Sequence, residues 1–413
     1  MTPFDSKVDC FISNNRHIAF FLLFLVMVLI GASNSLLFVI LPVLIRQLGA
    51  GELYMGLIFA GSSVLYMFFS PFWGWLSDLT GRRPVLLLGI IGNGLSLLAM
   101  GLVSAWIGSG AATAATALVL LALSRVIYGA IGCAMQPAAQ AYIADRTARS
   151  ERTRLLSLLA AGAGLGTAIG PPLAAWLSTG LGVPRAMYFL VGVSVLFFAV
   201  IAIAMPEHQR PNRSTVTGKA MFALVIDKRL RTLLLIGTLS WMAHGVFLQT
   251  LLFYTSDRLV LDAASALPIS GAIFALGAVG VLVVQFGFIP LAKPNPRQLM
   301  TLGGFCAALG AGLMIMASTV WMIGLAFVVA SIGSGLIRPG MSSAASLRVN
   351  EHEQGGAAGL VAATAGAGFM LAPFTGLALY QFVGPAASYS LLLVSLSGVF
   401  ILSFLQPVDH ETD

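Results

Sequence analysis

Three ionisable side chains stand inside otherwise apolar runs: Arg125 in LVLLALSRVIYGAIG (118–132), His244 in WMAHGVFLQ (241–249) and Arg338 in SIGSGLIRPGMSS (331–343). A guanidinium stays charged at physiological pH and anchors anions. An imidazole exchanges protons near neutrality. An arginine at the centre of a bilayer-spanning helix costs about 2.5–3.5 kcal/mol on insertion scales, so it needs something to offset that cost; for Arg125 we expect a wet passage. The 15 Asp and Glu residues fall instead in tails, loops or the ends of apolar runs, and the first run carries Asn34, an uncharged amide, and no acid.

Other chemistries find no residues here. Cys10, Cys133 and Cys306 lack metal-ligand spacing and fit no disulfide framework, so we expect no metal. No nucleophile with its base and no paired catalytic carboxylates occur, which argues against an enzyme. Gly218-Lys219 lacks the upstream glycine of a phosphate-binding loop. We expect no cofactor and no use of ATP.

The elements that must carry these residues follow from composition. Charged residues are 9% and apolar residues 58% of 413, against roughly 25% charged in a soluble domain. Such a chain cannot cover a water-facing surface. At about 20 residues per span, breaks at charged and Pro/Gly-rich positions give twelve helices, centred near residues 30, 64, 95, 124, 167, 194, 243, 276, 308, 332, 366 and 395. The first, HIAFFLLFLVMVLIGASNSLLFVI, is far longer than a signal-peptide core and lacks a cleavage site, so it stays as a span. The least marked cut is WIGSGAATAAT, between the third and fourth.

Seventeen Lys and Arg fall in the N-terminal tail and even-numbered loops and three, Arg46, Arg185 and Arg258, in odd-numbered loops. By the positive-inside bias both termini face the cytoplasm, and we expect a bacterial inner-membrane protein. The net charge of +7 then faces anionic lipid and not nucleic acid. The polar stretch 206–229, PEHQRPNRSTVTGKAMFALVIDKR, reads as a cytoplasmic linker with AMFALVI as a short interfacial helix. It separates six spans in 1–205 from six in 230–413. Pro137, Glu151, Gly164, Gly166 and Pro171 recur as Pro339, Glu353, Gly366, Gly368 and Pro373 at one offset of about 202 residues, as expected of parallel repeats that enclose a midplane site and rock about it.

Three stretches resemble motifs of the major facilitator superfamily. GWLSDLTGRRP (74–84) matches its signature loop at Gly74, Asp78, Gly81, Arg82 and Arg83. Its glycines suit close helix approach and a tight turn, Asp78 suits a helix N-terminus, and the arginines can reach a cytoplasmic carboxylate, for which we choose Asp145. The resemblance implies a latch for the outward-facing state. Arg125 followed by Gly129 is similar to the second motif, whose arginine is implicated in proton coupling; its alternative is a brace that bonds neighbouring carbonyls. AAGAGLGTAIGPPLAAWL, with Gly162, Gly164, Gly166, Gly170 and Pro171, is similar to the glycine-rich antiporter motif of exporters: the glycines admit neighbouring backbone and the proline bends the helix.

Together these look like the twelve-span drug:proton antiporter branch, and they imply an all-α membrane protein of two six-helix pseudo-repeat bundles that exports a small molecule by alternating access; we expect a monomer. The proton carrier stays open among His244, Asp78, Asp145 and the cargo itself. Arg338 pairs by the repeat with Gln136, so the two either face the cavity from opposite halves or Arg338 snorkels to the cytoplasmic edge. Trp241, Phe247 and Tyr128 supply cavity walls or packing, and Gln249 and Gln140 supply hydrogen bonds. Two arginines, a histidine and no acid suit an anionic cargo, an acidic metabolite or carboxylate siderophore, over the cationic drugs of the branch. An importer of organic anions, or a non-transporting sensor or lipid scramblase on the same fold, are the alternatives.

Overall fold

In hydrocarbon each unpaired backbone amide costs several kcal/mol, so long apolar segments close their hydrogen bonds internally as helices. The computed structural model describes residues 3–147, 149–205, 227–349 and 354–406, and these form an all-helical membrane protein. Helices α1 (Pro3–Ser35) and α2 (Leu37–Gln47) make the first span, followed by α3 (Leu53–Thr80) and α4 (Arg82–Gly108). The fourth span is α5 (Ala114–Ala130) and α6 (Met135–Arg146) about a tight turn at Gly132–Ala134; α7 (Arg149–Leu181) and α8 (Val183–Ala204) follow.

After the linker come α9 (Lys228–Leu259) and α10 (Ala263–Val283), which runs through a π turn into α11 (Ile289–Ala292). Then come α12 (Pro296–Met316), α13 (Val320–Leu347), α14 (Gln354–Ala372), α15 (Ala378–Phe382) beyond a second π turn, and α16 (Pro385–Phe404). Among the described residues, 11 helices are long and apolar enough to cross a membrane; the remaining expected span, near residue 167, lies in α7. Residues 206–226, including AMFALVI, and Glu353 lie outside the described residues.

Turn chemistry sets the boundaries. The unmarked cut between the third and fourth spans is made by Gly110 at φ 74° and by Thr113, whose hydroxyl caps α5. Asp227 caps α9, Asp262 caps α10, and Asn295 with Gln298 forms a capping box on α12. Trp176, Ile203, Leu291 and Trp321 stand exposed on the helix surfaces, an arrangement that suits lipid and not water.

Two compact units result: Met1–Leu37 with Val64–Arg213, and Phe38–Ser63 with Ser214–Asp413. In the first, α1 packs on α7, and α4 on α8 and α5; in the second, α9 packs on α14, and α12 on α16 and α13. Numbered as spans, both units use the pairs first with fifth, third with sixth and third with fourth, which is the sequence repeat expressed as packing. The repeats differ at their prolines. α7 runs unbroken through Pro171 and Pro172, whereas Pro373 opens the π turn Pro373–Leu377. The second unit also holds the segment Phe38–Ser63 by Arg46, which pairs with Glu52 at 2.7 Å and Asp257 at 2.8 Å, and by Gln381, which accepts the Leu53 amide at 2.7 Å.

Candidate functional site

Arg125 lies late in α5, just before the fourth span breaks, and only 4% of it is exposed. Its Nη2 donates to Asn34 Oδ1 at 3.0 Å, its guanidinium lies 4.4 Å above the Tyr128 ring, and Asn34 Nδ2 donates to the Tyr128 hydroxyl. A hydrogen bond to a charged group is worth about 1.5–3 kcal/mol and a desolvated cation–π contact about 2 kcal/mol. Their sum, about 3.5–5 kcal/mol, is at least as large as the insertion cost. A polar side chain of the first span and an aromatic face one turn away therefore share in offsetting the charge. This cluster places three of the predicted residues, Asn34, Arg125 and Tyr128, in one site.

Gln136 sits beyond the break and accepts from the Tyr66 hydroxyl at 2.6 Å, while Trp73 Nε1 donates to the Ala130 carbonyl at 2.6 Å and so fixes the break itself. Tyr66 stacks on Tyr128 with ring centroids 6.4 Å apart, which joins Gln136 to the Arg125 cluster. Sequence reasoning missed Tyr66 and Trp73, because an aromatic residue in an aromatic-rich membrane helix carries no distinguishing signal.

At the end of α3, the signature loop turns at Gly81, whose φ of 106° favours glycine. Gly74 is less constrained, since a Cβ there would meet Pro137 at an ordinary 3.8 Å. Arg82 Nε donates to Asp145 Oδ2 at 2.8 Å and its Nη1 to Ser77 Oγ at 2.6 Å. Arg83 does not reach a carboxylate as expected: its Nη2 donates to the Ala202 carbonyl near the end of α8, where the last helical carbonyls lack intrahelical donors. Asp78 occupies the last turn of α3 and not the first turn of its helix, because α3 persists to Thr80; its side chain lies outside the described residues.

The glycine-rich helix α7 presents a seam to α1. A Cβ at Gly162 would meet the Phe24 carbonyl at 2.9 Å, one at Gly166 would strike the Val28 carbonyl, and one at Gly170 would sit 2.7 Å from the Ala32 carbonyl. These positions recur every four residues and share a helix face. Gly164, expected to join them, does not: the space around it is open, because two residues rotate it to the opposite face. The second unit repeats this, with Gly366 open and Gly368 pressed against Trp241 and Met242.

In that unit, Arg338 of α13 lays its guanidinium 3.8 Å over the Trp241 ring of α9. Trp241 also touches Phe369 and His244, at centroid distances of 5.7 and 5.8 Å. Arg338 Nη2 is buried and has no hydrogen-bond partner. Phe247 packs between Tyr389 and Phe327 in the core. Gln249 is 0% exposed, and neither polar atom of its amide has a partner. Gln140 is exposed. Among the described residues no His, Cys, Asp and Glu group could hold a metal ion.

The chain matches the model of the Major Facilitator Superfamily over residues 23–316 and 291–413. It is 25% identical to a tetracycline resistance protein, class B, of Escherichia coli, over 86% of this chain and 87% of that protein. It is 25% identical to the multidrug resistance protein MdtG of Serratia proteamaculans (strain 568), over 76% of this chain and 75% of that one. Among solved structures, a bacterial homolog to the human lysosomal transporter Spinster, in its inward-facing and unoccupied conformation, superposes with a TM-score of 0.74 at 13% identity, over 95% and 96% of the two chains. The signature loop closed by Arg82 on Asp145, the arginine of the fourth span, the glycine seam of the fifth and the family match agree: this chain is a transporter of the Major Facilitator Superfamily.

Proposed function

We propose that this transporter is a proton-driven exporter of small organic molecules, working by alternating access in a bacterial inner membrane with both termini in the cytoplasm. The observation that carries the reading is the buried Arg125–Asn34–Tyr128 cluster, a permanent charge with two exchangeable neutral groups among its contacts. Such a charge can trade Asn34 for cargo or respond to a proton nearby without leaving the bundle. The glycine seam between α1 and α7 supplies a smooth surface on which helices slide, and the names of the relatives, a tetracycline resistance and a multidrug resistance protein, favour export over import. Seventeen basic residues against three in alternate loops support the orientation, and the linker at 206–229 supports two six-span bundles.

With no acid within the spans, the proton is carried by His244 or by Asp78 or Asp145 at the cytoplasmic loop, or travels with the cargo. The test is a comparison of tetracycline and ethidium susceptibility, and of secreted metabolites, in cells with and without the chain. Resistance or a secreted product that disappears with Arg125→Ala supports the reading. Cells whose susceptibility and secreted products do not change with the chain contradict it.

A further inference from the structure

The second unit holds a cation with no counter-charge among the described residues. Arg338 Nη2 is buried without a hydrogen-bond partner, and the ion pairs of the described residues leave Arg338 out. The guanidinium instead rests on the Trp241 face, thirteen residues into α9, or about 20 Å of helix, so it is well within the membrane. Beside it lies a cleft bordered by Ser240, Trp241, Ser334, Ile337 and Arg338, about 10 Å³ in this conformation, room for one water-sized group, so a larger ligand enters only as α9 and α13 part. Ser240 is only 6% exposed and its hydroxyl also lacks a partner. Two unspent donors, one charged and one neutral, thus border one cleft, and leaving such groups unpaired in a low-dielectric interior is costly.

We propose that this cleft is the headgroup subsite for an organic anion, with the cargo carboxylate accepting hydrogen bonds from Arg338 Nη2 and Ser240 Oγ. The inference rests on the transport reading above and names the class of its cargo. A carboxylate fits for three reasons. It is planar and matches the guanidinium edge. Its single charge is matched by one arginine, whereas a phosphate dianion would keep an unmatched charge in a site with no second cation. The remaining lining, Trp241, Ile337 and the nearby Met341, suits an apolar body attached to that headgroup. The backbone leaves room for the arrangement: a Cβ at Gly368 would meet the Trp241 Cβ at 2.5 Å, so glycine there lets α14 lie close against the part of α9 that carries Trp241.

The test is titration of the purified full-length protein in detergent micelles with benzoate, and with benzamide as its neutral isostere, read by tryptophan fluorescence with Trp241→Phe as the control for the reporter. The parent protein binds benzoate about tenfold or more tighter than benzamide. Arg338→Gln reduces the two to parity, Arg338→Lys retains part of the preference, Ser240→Ala weakens benzoate several-fold, and Arg185→Gln, a loop charge, changes nothing. Equal binding of the two probes by the parent, or a preference that survives in Arg338→Gln, overturns the proposal. Displacement of benzoate by added phosphatidylglycerol assigns the cleft to a lipid headgroup and also overturns it. Efflux measured separately keeps the two readings apart: tetracycline export without an Arg338-dependent benzoate preference leaves the transport reading standing and removes the subsite, while the preference without export in any assay does the reverse.

Discussion

A buried arginine in a membrane helix is set by its partners, and at Arg125 these are Asn34 and the Tyr128 ring. Asn34→Ala removes the acceptor from a charge that is 4% exposed, so we expect a loss of about 1.5–3 kcal/mol of stability, measured by unfolding in denaturing detergent. Asn34→Asp, which would place a carboxylate against the guanidinium, is expected to keep the fold but fix Arg125 and slow transport. At the surface, the Asp262 carboxylate caps α10: hydrogen bonds from Ser265 and Ala264 hold its pKa below the usual carboxylate value. A depressed carboxyl stabilises fully above its unfolded pKa, about 3.9, and the contribution is lost as pH falls through the lower folded value. Deuterium exchange at Ala264 and Ser265, compared between the parent and Asp262→Ala, should therefore show faster exchange in the variant at neutral pH and no difference once pH is below the folded value. What sequence showed at this scale was the list of unusual residues. It did not show the partners: Tyr66 and Phe369 are ordinary residue types whose importance comes from long-range contacts with Gln136 and Trp241.

Along each element, the length of the apolar run was the legible part and facing was not. The spans are visible because an apolar run long enough to cross a bilayer has few alternatives to a helix. The seam on α7 shows the limit. A glycine-rich motif read as a string suggests that Gly162, Gly164, Gly166 and Gly170 act together, but a helix separates them into faces, and Gly164 turns away from α1. This yields a paired prediction. Gly166→Ala drives a methyl into the Val28 carbonyl, a backbone atom that cannot swing aside, and costs at least the about 1–3 kcal/mol of an overpacked core. Gly164→Ala is close to neutral. Yield of monodisperse protein and its melting temperature separate the two, and equal behaviour would remove the seam. The misplaced expectations for Asp78 and Arg83 have the same origin: the signature loop is legible, but whether its residues end one helix or begin the next depends on where α3 stops, and Thr80 and Gly81 decide that.

For the whole molecule, the repeat offset was the most informative single feature, because it foretold that both units would pair their spans in one pattern. It did not foretell their differences. The Gln136 position has become Arg338, and the regular proline turn of α7 has become a π turn at Pro373, so the two units carry different chemistry on one scaffold. We propose that a proton gradient drives export through the unit whose buried charge is Arg125. The most direct measurement is accumulation, in everted membrane vesicles containing the chain, of the compound whose export the comparison of cells identifies, with the vesicle interior acidified by respiration and then neutralised by an uncoupler. Accumulation is expected to rise on acidification, collapse with the uncoupler and be lost in Arg125→Ala. Accumulation indifferent to the uncoupler, or undiminished in Arg125→Ala, would contradict it.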